Sequence, residues 1–179
     1  MNSNTNFHLK TIAIDSSTKS TGISVWRGST LIKHRTIALS AKDKMDVRLP
    51  KMVMALYDVL NAELPDEVYI EETVVNRNVA TQRFLTRLQG TVFGWCLEHG
   101  SKFETIRPTV WRKALGFVQG RNVKREALKQ QAKDYVLERY GEQFSDISED
   151  EYEAICIGVA VIKLRDEHSE NKNKDTKEK

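Results

Sequence analysis

Apolar positions in this chain recur with two periods, and the switches between them divide it into elements. Ile12, Ala13 and Ile14 form a short buried run that ends on Asp15, and residues 16–20 supply turn chemistry. TGISVW then alternates Ile23 and Val25 with Ser24 and Trp26. RGST makes a second turn and residues 30–39 read as a further strand, so the pattern predicts an antiparallel meander of three strands. Over residues 46–60, Leu49, Val53, Leu56 and Leu60 recur at helical spacing, with Pro50 tolerable only in a first turn. Pro65 ends the connection, and residues 67–75 (EVYIEETVV) have the β-rich character of a central strand, interrupted by Glu71 and Glu72. Helical spacing returns over 78–97 through Phe84, Leu88, Val92 and Trp95. Gly90 and Gly94, four apart, would let another helix approach closely. Residues 102–106 complete a set of five strands.

From Pro108 the chain turns basic and interrupted. A short helix around Trp111, a glycine-flanked loop over 116–120 and a helix over about 122–140 fit it best. The apolar run AICIGVAVI suits either a strand or a helix. Ser148 followed by Glu151 is a capping-box pair, which decides for a helix over 148–165. The order is βββαβαβα, an α/β arrangement of a five-stranded mixed sheet flanked by helices. Residues 1–10 are expected to be a flexible leader, 11–166 the folded domain, and 167–179 a disordered charged tail.

Composition narrows the picture. With 179 residues, 40% hydrophobic and 30% charged, the chain suits one globular domain. Its two cysteines lie in apolar surroundings and its four histidines lack ligand spacing, which argues against a disulfide framework or a zinc site. No apolar run approaches the roughly 20 residues of a membrane span, so the expectation is a cytoplasmic protein that does not enter a membrane. The net charge of +3 is a mild hint of a polyanionic partner. Its distribution says more: residues 107–133 carry eight positive charges (Arg107, Arg112, Lys113, Arg121, Lys124, Arg125, Lys129 and Lys133) against Glu126 alone. Such a segment can neutralise phosphates with release of counterions, although a solvated helix face has the same composition.

The acids suggest chemistry. In Ala13-Ile14-Asp15 and Tyr69-Ile70-Glu71 the acid follows an isoleucine in the same phase, so Asp15 and Glu71 share a face of the sheet if Ile14 and Ile70 share the other. Asp150 and Glu153, three apart on a helix, can point together at that face. Each acid also has an ordinary use: Asp15 to start a turn, Glu71 and Glu72 to bring a strand out to solvent, residues 149–151 to suit the positive end of a helix dipole. Glu153 fits that last use least. Four carboxylates around one point repel one another unless divalent cations hold them. All-oxygen ligation suits Mg²⁺ or Mn²⁺, and two such ions about 4 Å apart can activate a water and stabilise the leaving oxygen of a phosphodiester.

The element order and the acids resemble the RNase H-like superfamily, and within it the RuvC-type Holliday junction resolvases and their phage-borne relatives. AIDSSTKSTGISV resembles the first-strand motif of that family, VYIEETVV its second, and DEYEAICIGVA its terminal helix. The resemblance implies that Asp15, Glu71, Asp150 and Glu153 hold two Mg²⁺ or Mn²⁺ ions, with no small-molecule cofactor. Glu153 stands where an aspartate is commoner, which leaves Glu149 or Glu151 as substitutes. PTVWRKALG, together with the basic residues downstream of it, resembles the DNA-contacting region, implying contacts from Arg112, Lys113, Lys124 and Arg125. Cellular members place a wedging aromatic three residues after the strand acid, where this chain has Val74. A homodimer through the 78–97 helix is also implied, with two sites acting symmetrically on a four-way junction, although the helix's apolar stripe is equally suited to packing on its own sheet. The alternatives are a nuclease of the same fold with another substrate and a branched nucleic-acid binding module without cleavage. DSSTKSTG also looks like the phosphate turn of sugar kinases, but those need two such lobes.

Overall fold

The computed structural model describes residues 8–73 and 78–177, the side chains of 170–177 excepted. Five strands form one sheet in the order β3-β2-β1-β4-β5. β1 (Lys10–Ser16), β2 (Ser20–Arg27) and β3 (Thr30–Ala38) are the expected antiparallel meander, while β4 (Glu67–Glu71) and β5 (Lys102–Ile106) add to it in parallel. β4 stops at Glu71, short of the expected 75, and Val74 lies outside the described residues.

Period-two alternation assigns the two faces. Ile12, Ile14, Ile23, Val25, Val68 and Ile70 point to one side, where α1 (Met45–Glu63) and α2 (Val79–His99) cover them with Met52, Leu56, Leu60, Leu88, Val92 and Trp95. The apolar stripe of α2 is thus used within the chain. A Cβ on Gly90 or Gly94 would find open space, so none of the described helices packs against them. α1 begins at Met45 and places Pro50 beyond its first turn, inside the helix.

The other face carries Ala13, Trp26 and Tyr69 and packs on α5 (Glu149–Lys177), itself flanked by α3 (Pro108–Ala114) and α4 (Arg125–Tyr140). Every residue from Glu151 to Ile162 is buried or nearly so, because α5 has the sheet on one side and helices on others. That all-round burial is why AICIGVAVI has no readable period. Half of the expected capping box forms: the Glu151 N–H donates to Ser148 Oγ at 3.1 Å, while the Glu151 carboxylate is taken up by His34 and Thr36 of β3 instead of the Ser148 N–H. α5 continues to Lys177, where a disordered tail was expected from 167, since charged residues extend an already packed helix at little cost.

Two glycines set the distance between α5 and the sheet. A Cβ on Gly22 would overlap the backbone carbonyl of Asp150, and one on Gly158 would overlap the indole of Trp26. Gly22 pairs with Asp15 across the β1–β2 ladder, so the absence of its side chain lets the start of α5 settle beside that acid.

Candidate metal and nucleic-acid site

β1 and β4 run parallel with Ile14 opposite Ile70, which puts Asp15 and Glu71 side by side at the carboxyl ends of adjacent strands, on the α5 face. From above, the first turns of α5 lower Asp150 and Glu153. Asp15, Asp150 and Glu153 each offer an oxygen, and these oxygens all lie within 4.8 Å of one another. Glu71 lines the same cleft but stands outside that set, since its Oε2 accepts a hydrogen bond from Trp111 Nε1 at 2.7 Å. The cleft, about 450 Å³, is also lined by Ser16, Ser17, Thr18, Arg112 and Arg125.

Electrostatics set the cluster apart. Burial, and then the charges of Glu71, Glu153 and Asp150, push the Asp15 carboxyl well above the usual range against the opposing pull of Arg112. Glu71 is pushed up to about 7, chiefly by burial, with the Trp111 hydrogen bond opposing. Burial also raises Glu153, while Arg112 lowers it. Buried, mutually repelling carboxylates with only oxygen to offer make a donor set that fits a hard divalent cation.

The neighbouring acids are occupied elsewhere. Glu149 pairs with Lys129 outside the cleft. Glu151 is buried against His34 and accepts from Thr36 Oγ1 at 2.7 Å, tying β3 to the first turn of α5. Neither joins the set formed by Asp15, Asp150 and Glu153. Glu72 pairs with Arg107 at the rim.

Arg112 lines the cleft wall, its Nη2 donating to Glu153 Oε1 at 3.0 Å and its guanidinium carbon over the Trp111 ring, 4.7 Å from the centroid. Lys113, Lys124 and Arg125 are exposed, and of these Arg125 lines the cleft. The sequence reading missed Trp111 as the holder of Glu71 and Gly22 as the seat of α5. The only signal for the second was a glycine directly across the meander from the acid. Cys96 and Cys156 are both free and buried. Among the described residues no helix is long and apolar enough to cross a membrane.

No family model matches the chain. Two curated relatives, each named "Crossover junction endodeoxyribonuclease RuvC", from two strains of Nitratidesulfovibrio vulgaris, are 33% identical to it over 108 residues. The match covers 58% of this chain and 64% of those proteins. Among solved structures, Thermus thermophilus RuvC in complex with a Holliday junction substrate superposes with a TM-score of 0.68 at 16% identity, covering 88% of this chain and 96% of that one. The yeast mitochondrial Holliday junction resolvase Ydc2 gives 0.57 at 11% identity, covering 97% and 87%. The chain is thus similar in sequence to proteins named RuvC over 64% of their length, and it shares the RNase H-like fold of the solved RuvC structures.

Proposed function

We propose that this chain is a structure-selective endonuclease that hydrolyses phosphodiester bonds in branched DNA, four-way junctions above all, acting in the cytoplasm as a homodimer that cuts opposed strands symmetrically. The observation that carries the reading is the convergence of Asp15, Asp150 and Glu153 oxygens within 4.8 Å at the carboxyl end of β1. The kinship with proteins named as crossover junction endodeoxyribonucleases supports it.

In this reading residues 11–166 form the nuclease domain, and Asp15, Glu71, Asp150 and Glu153 hold Mg²⁺ or Mn²⁺, two ions per site. The ions supply Lewis acidity toward a water and toward the leaving oxygen. The protein supplies position. Asp15 is fixed by the β1 ladder, Asp150 and Glu153 by the close seat of α5 on Gly22, and Glu71 by the indole of Trp111. Water attacks phosphorus directly, so no serine or cysteine nucleophile is required; both cysteines are buried. Arg125 at the cleft, with Lys113 and Lys124 outside it, meets the phosphate backbone and fixes its register without reading sequence.

A cleavage assay with Mn²⁺ on a synthetic four-way junction, linear duplex, branched duplex and RNA–DNA hybrid tests this. Cutting confined to junctions, lost on chelation and in Asp15→Asn, is the expected result. Cutting of the hybrid instead would make the chain a nuclease with another substrate, and tight junction binding without cutting would make it a binding module. Sedimentation of the free protein as a monomer at all concentrations would remove the homodimer.

A further inference from the structure

The reading of the cleft as a divalent-cation site leaves one side chain without an account. Arg112 is directed at the acids rather than at solvent: its side chain is 16% exposed, and the Glu153 side chain it contacts is 9% exposed. Its field reaches Asp15, Glu71 and Glu153 alike, opposing the upward push of burial on all three. Without ions, then, the nearest compensating charge for the buried carboxylates belongs to the protein itself. A divalent cation entering beside Glu153 meets that charge at close range.

Resting on that reading, we propose that Arg112 is an exchangeable counter-ion: it holds Glu153 in the ion-free protein, is released from Glu153 when divalent cations bind, and then donates to a phosphate of the bound strand.

Three features support the exchange. The contact to Glu153 uses a single nitrogen, Nη2, and the Nε–H is buried with no partner among the described residues, so the fork is only partly used. A guanidinium fork matches phosphate with two parallel hydrogen bonds. The guanidinium lies over the Trp111 ring, so it can turn above that ring to change its hydrogen-bond partner without leaving it, and Trp111 is itself held by Glu71, so this support stays when the partner changes. Lys113, the next residue, is exposed and serves as a control. Arg112 therefore competes with the ions for Glu153 and holds that acid only in the ion-free protein, and it counts as a phosphate contact only after exchange.

The test is titration of the full chain with Mn²⁺ by calorimetry, without DNA, for the wild type, Arg112→Gln, Arg112→Lys and Lys113→Gln. Removing a positive charge beside a cation site tightens it, so Arg112→Gln should bind Mn²⁺ roughly tenfold more tightly. A residue that merely supported the fold would weaken binding when lost. Arg112→Lys keeps the charge without the fork, so it should bind Mn²⁺ within about threefold of the wild type yet lose affinity for a four-way junction in Ca²⁺. It also keeps the test decisive if Arg112→Gln does not fold. Lys113→Gln should leave Mn²⁺ affinity unchanged. Mn²⁺ uptake by the wild type, with equal or weaker uptake by Arg112→Gln, overturns this proposal alone. If Arg112→Gln does not fold, a Lys variant that binds junction as the wild type does overturns it. No uptake by any of the proteins overturns it together with the cation-site reading.

Discussion

The two faces of the sheet are built from the same strands by opposite rules. Toward α1 and α2, β1 and β4 present Ile12, Ile14, Val68 and Ile70, all fully buried against aliphatic and aromatic side chains with no charge to compensate. Toward α5, the alternate positions of those strands present Asp15 and Glu71, whose burial is unfavourable and pushes their carboxyls upward. One face maximises apolar burial, and the other spends part of the stability so gained on holding charges where water would not leave them. Stability and chemistry should therefore respond in opposite directions to substitutions on the two faces.

The largest effects on stability belong to the apolar face. Leu88→Ala, at a fully buried position of α2, should destabilise the fold by about 2–5 kcal/mol in urea unfolding while leaving the Mn²⁺ affinity of the surviving folded protein within about twofold. A large loss of ion affinity in this variant would show that the faces are not separable. Gly22→Ala sharpens the contrast from the other side. Its new methyl group must displace the Asp150 backbone, so the start of α5 moves away from Asp15 and junction cleavage should fall by at least about a hundredfold. Unchanged cleavage would mean that the close seat of α5 is dispensable.

How much of this was legible obeys the same division. The phase of Asp15 and Glu71 could be read because strand periodicity is local, and the start of α5 because Ser148 and Glu151 sit three apart. What could not be read depends on pairings across the fold. Trp111 reaches Glu71 and Arg112 reaches Glu153, each across about forty positions, and nothing in PTVWRKALG distinguishes an arginine turned into a cleft from one turned toward DNA. The apolar stripe of α2 was legible as a stripe but not its partner, because a core face and a dimer face have the same composition. Gly90 and Gly94 drew attention by their spacing, while the glycines that mattered, Gly22 and Gly158, are isolated in sequence and matter only for what lies opposite them.

Removing a charge from the acidic face should stabilise the ion-free protein. Asp15→Asn keeps the shape and deletes the buried charge, so ion-free unfolding should require about 1–3 kcal/mol more while cleavage is lost. A variant less stable than the wild type would mean that Asp15 is structural.

The same logic fixes the sign of the pH response. Glu71 titrates near 7 in the folded chain against an ordinary 4.5, so between those values the folded state binds more protons than the unfolded state. Stability is then highest below about pH 4.5 with respect to this group, falls as pH rises through the window, and has lost roughly 1–3 kcal/mol above 7. Saturating Mn²⁺ should flatten the decline. Chemical unfolding at pH 5, 6, 7 and 8, with and without the ion, measures it. An ion-free stability rising through this window would contradict the electrostatic account of the cleft.

The smallest effect lies farthest from the acids. Leu64 closes α1 with φ at 44° and its side chain mostly in water, while its N–H caps Leu60 O at 2.8 Å. A branched apolar residue in the left-handed region is strained by about 1 kcal/mol, and the exposed side chain returns little by burial. Leu64→Gly relieves the strain but makes the unfolded chain more flexible, so the net gain should be only about 0.5 kcal/mol. Cleavage should not change, because the turn lies at the opposite end of the sheet from Asp15, next to Asp66 and the start of β4. A stability gain here with unaltered cleavage, set beside the Asp15→Asn result, separates strain that serves chain reversal from strain that serves the site: the first can be removed without loss of activity, and the second cannot.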